Sequence, residues 1–232
     1  MTPTSPKPSS VVLLIGHGSR HAPGNEAVQH FADQVRSRHP LRTFLTCFVE
    51  LAKPLLVEGL AEAALAARQT NPDDPEVVVV PLIINAAGHV KMEIPEAVAA
   101  AQKRFPDVTF RLLPQIGIDE PLIMALLGEL KAALRRLAMP DPKTTGVIVL
   151  GRGSSDPGAN GEMAKLTRLL WERTDHELVE LAFTGVTYPR LESAAQRLVR
   201  LGMTQIVVLP VYLFTGTLIE RINAQVARLK HQ

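Results

Sequence analysis

Val11-Val-Leu-Leu-Ile-Gly16-His17-Gly18-Ser19 and Gly146-Val-Ile-Val-Leu-Gly151-Arg152-Gly153-Ser154 decide the fold of this chain. Each is a short, unbroken apolar run that ends in a glycine-flanked turn. A strand with one wet face alternates polar and apolar residues; a continuous run of β-branched and aliphatic residues marks a parallel strand covered on both faces. Val77 to Ile84 (VVVVPLII) and Ile206 to Leu213 (IVVLPVYL) read the same way. Helical periodicity fills the intervals over Asn25–Arg38, Leu55–Arg68, Glu120–Leu137, Gly161–Arg173 and Arg190–Leu201. Strands alternating with helices predict an α/β fold, each parallel β-sheet flanked by helices.

The two opening stretches lie 135 positions apart, and Phe48 with Phe183 and Pro54 with Pro189 share that offset. The strand prolines Pro81 and Pro210 are 129 apart, so the second copy has the shorter connection before its last strand. Two tandem lobes are therefore expected. The first spans 10–139 and ends in the Glu120–Leu137 helix; the second, 140–232, starts at the Pro140-Asp141-Pro142 linker. Residues 1–9, rich in Pro, Ser and Thr, read as a flexible tail.

Bulk composition excludes several functions. With 232 residues, 46% of them hydrophobic, the chain buries a full core. Its 25 basic residues are scattered, the net charge is +2 and aromatics make up 4%, so nothing predicts a grip on nucleic acid. Val11 to Ile15 is too short for a signal or membrane segment, and no membrane association is expected. Cys47 is the single cysteine, which excludes an internal disulfide and a multi-thiolate zinc site and suits a cytoplasmic location.

Ligands of open α/β sheets bind beyond the carboxyl ends of the strands, where His17 and the loop Asn85-Ala86-Ala87-Gly88-His89 are expected. Two neutral imidazoles at one sheet edge suit Co2+, Fe2+, Ni2+ or Zn2+ better than Mg2+ or Ca2+. Glu50 closes the run Thr46 to Glu50, a third strand expected to reach the same edge, as a carboxylate for proton transfer or ligation; an acid opening the next helix reads as well on spacing. Glu93, before Ile94-Pro95, has the same two readings, with a helix starting at the proline. The second copy is an internal control: at the matching positions it holds Arg152, Gly185 and Leu218 in place of His17, Glu50 and His89. All three candidates are lost together while the glycines, serines and strand prolines persist. Arg20 and Arg152 are guanidinium forks for an anionic ligand, with Ser19, Asn85 and Gly88 beside them, although a serine at a helix start is more often a cap. His21, His30, His39, His176 and His231 read as loop or polar-face histidines without a role.

Gly16-His17-Gly18-Ser19-Arg20, Phe48-Val49-Glu50-Leu51-Ala52-Lys53-Pro54, Pro81 to Ile84 with Gly88-His89, and Glu93-Ile94-Pro95 together resemble the sirohydrochlorin chelatases, the class II chelatases, in their long form with two fused half-length units. The resemblance runs in order along nearly the whole chain. It implies two Rossmann-like lobes, metal binding by His17 and His89, and assistance from Glu50. The implied activity is insertion of Co2+ or Fe2+ into sirohydrochlorin, for cobalamin or sirohaem, without ATP; no phosphate-cradling GxxxxGK[ST] is present. Glu93 stands where the family commonly has Asp. The metal is then a substrate, no tightly bound cofactor is expected, and the partner is a tetrapyrrole with several carboxylates. The fused form implies a monomer or weak homodimer.

Two rival functions use the same residues. A histidine-phosphatase-type hydrolase needs an arginine immediately before its nucleophilic histidine, and Gly16 occupies that position. A metal or tetrapyrrole carrier would need the same histidines and no turnover.

Overall fold

The computed structural model describes residues 9–85 and 90–229. It contains two all-parallel sheets, as the sequence predicts. The first consists of β1 (Val11–Gly16), β2 (Phe44–Phe48), β3 (Glu76–Pro81) and β4 (Thr109–Leu112) in the order β2-β1-β3-β4. Helices α1 (Ala22–Arg38), α2 (Leu56–Thr70) and α3 (Val90–Arg104) connect these strands. The second consists of β5 (Thr145–Gly151), β6 (Val179–Phe183) and β7 (Gln205–Pro210) in the order β6-β5-β7. Its helices are α4 (Glu120–Leu134), α5 (Pro157–Trp171), α6 (Leu191–Arg200) and α7 (Thr217–Leu229).

The apolar runs are explained by cover on both faces. Every residue of β1 is buried. Val11, Leu13 and Ile15 pack with Leu60, Ala63 and Ala64 of α2 and Ile94 and Val98 of α3. Val12 and Leu14 face the other way, onto Val28 and Ala32 of α1 with Phe44 and Phe48. In the second sheet Ile148 and Leu150 pack with Leu191, Ala194 and Leu198 of α6 and Ile222 of α7.

The repeat is kept at the level of register. Ile15 pairs with Cys47 and Pro81; Leu150 pairs with Ala182 and Pro210. Those four partners differ by the offsets read from the sequence. Beyond the strand ends the match continues: Leu82 N–H donates to Ile15 O (2.8 Å) and Val211 N–H to Leu150 O (2.9 Å).

The compact units part between Gly117 and Ile118, and Leu213–Gly216 is counted in the first. Helix α4 thus belongs with the second unit, where it packs on β7 and α5, and not with a lobe ending at 139. Its buried Ile123, Leu126 and Leu130 are the reason: the stripe needs a sheet to cover, and it covers β7. Helix α3 begins at Val90, with Glu93 in its first turn and Pro95 inside it, rather than at the proline. No described helix is long and apolar enough to cross a membrane.

Candidate metal centre

His17 stands on the turn from β1 to α1, half-buried at the carboxyl edge of the first sheet. Its position is set by the backbone. Val49 N–H donates to Gly16 O (3.0 Å), Glu50 N–H to His17 O (3.1 Å), Ala52 N–H to Glu50 O (2.8 Å) and Phe48 N–H to Pro54 O (2.9 Å). The turn after β1 and the loop after β2 are thereby zipped together. Gly18 makes the close approach possible: its φ is +92°, and a Cβ there would lie 1.7 Å from the Glu50 carbonyl oxygen. The Lys53–Pro54 peptide is cis. His17 Nδ1 lies 3.7 Å from Glu50 Oε1, with both side chains partly open to solvent.

Ser19 is engaged by its own turn. Its N–H donates to Asn25 Oδ1 (2.9 Å), its carbonyl accepts from Asn25 Nδ2 (2.8 Å), and its Oγ accepts the His21 N–H (3.0 Å). The second copy repeats all three bonds with Ser154, Asn160 and Asp156. Asn25 carries no sequence signal of a site residue when the first copy is read alone. It shares the 135 offset with Asn160, and extending the repeat past the serine would have exposed it. Arg20 is exposed, and Asn85 sits partly buried just past β3 at the same edge as His17. Arg152 occupies the equivalent edge of the second sheet. Gly88 and His89 lie outside the described residues. Among the described residues no group of three His, Cys, Asp or Glu side chains is gathered for a metal; His17 and Glu50 form a pair.

Cys47 lies fully buried in the core of the first sheet, not at its carboxyl edge. Burial, with Glu62 adding to it, pushes its thiol up to about 12, so no thiolate is available near neutrality. A groove of about 550 Å³ runs along α1 past Glu26, His30, Asp33 and Lys53. His30 pairs there with Gln34 (3.0 Å). His176 differs from expectation: it is buried in the connection between α5 and β6, where Trp171 Nε1–H donates to its carbonyl (2.9 Å).

An imidazole beside a carboxylate at a strand end, exposed and fixed through backbone bonds, can hold a divalent cation and accept a proton. Known proteins carry the comparison further. The chain is 37% identical over 222 residues to the sirohydrochlorin cobaltochelatase of Priestia megaterium, covering 95% of this chain and 70% of that protein. It is 27% identical over 218 residues to the sirohydrochlorin ferrochelatase of the same species, covering 94% and 78%. Of solved structures, SirB from Bacillus subtilis with Fe3+ is similar with a TM-score of 0.79 at 26% identity, covering 96% of this chain and 84% of that one. The family model described as CbiX matches residues 11–133 and again 146–232, once on each copy of the repeat. With both copies accounted for, the chain belongs to the CbiX family.

Proposed function

We propose that this chain inserts a divalent metal, Co2+ or Fe2+, into sirohydrochlorin. The observation that carries the reading is the His17–Glu50 pair, held 3.7 Å apart by two zipped turns in the copy of the repeat that kept both residues. Membership of the CbiX family supports it, as do relatives named for cobalt and for iron chelation.

Insertion needs a partly dehydrated cation, loss of two pyrrole N–H protons and a ring bent enough to expose its nitrogens. Glu50 faces Nδ1 of His17 and leaves Nε2 for the metal. His17 and His89 hold the ion, and imidazoles release it to four ring nitrogens more readily than thiolates would. Glu50 orients His17 and takes one pyrrole proton as the metal enters, and a histidine freed by the departing metal takes the other. Ser19, Arg20, Asn85, Gly88 and Arg152 meet the polar rim of the ring. The first lobe carries the metal chemistry, and the second, degenerate lobe lacks the histidines and the glutamate. The chain works in the cytoplasm as a monomer or weak homodimer, a reading supported by its single buried thiol and fused repeat.

The test is spectrophotometric. Purified protein should speed the loss of the free sirohydrochlorin spectrum with Co2+, Fe2+ or Ni2+ over many turnovers, which a carrier would not do. His17→Ala and His89→Ala should each lower the rate by about 100-fold, and Glu50→Gln by about 10-fold. No acceleration by wild type overturns the function; full rates in both histidine variants overturn the site.

A further inference from the structure

The carboxyl edge of the second sheet carries a polar set of its own. Arg152 follows β5, Thr184 follows β6, and Tyr212 lies two residues past β7. Thr184 Oγ1 lies 3.3 Å from the Arg152 carbonyl and 3.2 Å from the Tyr212 hydroxyl. A carbonyl only accepts, so the Thr184 proton points to Arg152 O and the Tyr212 O–H donates to Thr184 Oγ1.

By the same offsets of 135 and 129, the first copy has His17, Val49 and Ile83 at these three places. Val49 and Ile83 pack apolar against the first core. The second copy has therefore not merely lost a metal pair. At the three equivalent places it has an arginine and two hydroxyl side chains where the first copy has a histidine and two aliphatic ones. Hydroxyls in a half-buried layer cost stability unless they hold geometry or meet a ligand. The Arg152 side chain is exposed, with no carboxylate in ion-pair reach among the described residues. Burial raises the pKa of the Tyr212 phenol, against the hydrogen bond to Thr184 and the positive charge of Arg152. The phenol is thus neutral and a donor at working pH.

A guanidinium fork and a phenolic O–H offer donors and positive charge, which selects an anion, and the planar fork matches a carboxylate. We propose that Arg152 and Tyr212 form a carboxylate-binding site on the second unit, which takes one acidic side chain of the tetrapyrrole. Thr184 holds the Tyr212 proton until the stronger, charged acceptor arrives. The identity of the ligand rests on the chelatase reading; the site itself rests on Arg152, Thr184 and Tyr212 meeting at one sheet edge through Thr184 Oγ1.

Two measurements separate them: KM and kcat for sirohydrochlorin at saturating Co2+, and equilibrium titration of metal-free uroporphyrin, a polycarboxylate ring, followed by its absorbance. Tyr212→Phe should raise KM and the uroporphyrin Kd about 3- to 10-fold and Arg152→Met more than 10-fold, with kcat falling less than 2-fold. Thr184→Val, which removes the partner that holds the Tyr212 hydroxyl, should raise Kd less than Tyr212→Phe does, since Gly185 N–H still anchors the Arg152 carbonyl at 3.0 Å. Tyr188→Phe, which removes the other tyrosine, an exposed one, is the control and should match wild type. Normal turnover with uroporphyrin affinity indifferent to Arg152 and Tyr212 overturns the site and leaves the function standing. No turnover, with affinity dependent on both residues, supports the site and overturns the function. A Thr184→Val loss equal to that of Tyr212→Phe also overturns the site, because Tyr212 would then act only through Thr184.

Discussion

His17 and His176 show what decides a histidine's role when the residue type is the same. The first is held at a sheet edge by bonds to its backbone, and its ring is left open to solvent beside a carboxylate. The second is 7% exposed, and neither ring nitrogen has a hydrogen-bond partner among the described residues. Burial lowers its pKa, with Asp175 opposing. The folded-state value lies below the ordinary one near 6.5, so the unfolded chain binds more protons in the interval between them. Neutral His176 therefore contributes fully to stability above about pH 6.5, and that contribution is lost as pH falls through the folded value. Urea unfolding between pH 7.5 and 5 should show wild type weakening as the solution is acidified. His176→Leu, which needs no partners for ring nitrogens, should weaken less over the same range. Parallel pH curves for the two proteins would rule out this role. Nothing around Asp175-His176 in the sequence signals burial, whereas the neighbours of His17 do signal a strand-end turn.

The turn after the first strand is the element on which each copy depends, and it is built alike in both. Asn25 and Asn160 each exchange two hydrogen bonds with the serine six residues before them. Asn25→Ala and Asn160→Ala should each cost about 1–3 kcal/mol, two partly buried bonds at the usual net value. Asn25→Ala should also lower kcat for metal insertion, because the turn it frees carries His17. Asn160→Ala should lower stability alike with a smaller effect on kcat. Denaturant titrations and initial rates on the pair read both effects; equal kcat losses would separate the turn from the metal chemistry. The elements legible in the sequence are those whose pattern follows from cover on both faces, β1, β3, β5 and β7. Strand β4, four residues long and at the sheet edge, has no such pattern. Pro95 favours a first turn and so points to a helix start there, yet it is accommodated inside α3 at the loss of one backbone bond. Helix α5 starts at Pro157 rather than Gly161, since the Asp156 carboxylate caps it through Gly158 N–H (2.9 Å).

At the scale of the molecule, the duplication was legible because glycines, prolines and apolar runs recur at fixed offsets. The assignment of residues to units was not, because it depends on contacts distant in sequence. Leu213–Gly216, which follows β7, is counted in the first unit. Phe214 sets its ring edge-on to Phe31 of α1 at 5.9 Å and packs against the cluster of Val12, Leu14, Val28 and Phe48. Gly24, near the start of α1, admits this segment: a Cβ there would lie 3.0 Å from the Thr215 carbonyl oxygen. By the 129 offset Phe214 matches Asn85, so the repeat predicts a loop at a sheet edge and not a core side chain of the other unit. Removing the ring should destabilise the first unit selectively. Phe214→Ala is expected to cost about 2–4 kcal/mol, less than a fully enclosed phenylalanine because the site is half-buried. Native-state hydrogen exchange resolves where the loss falls. Amides of α1, β1 and β2 should exchange faster, and those of β5 and β6 at wild-type rates. Gly24→Val should reproduce the pattern from the opposite side of the contact. Faster exchange confined to β5 and β6 would mean that Phe214 serves the second unit, and the division of the chain at Leu213–Gly216 would then be wrong.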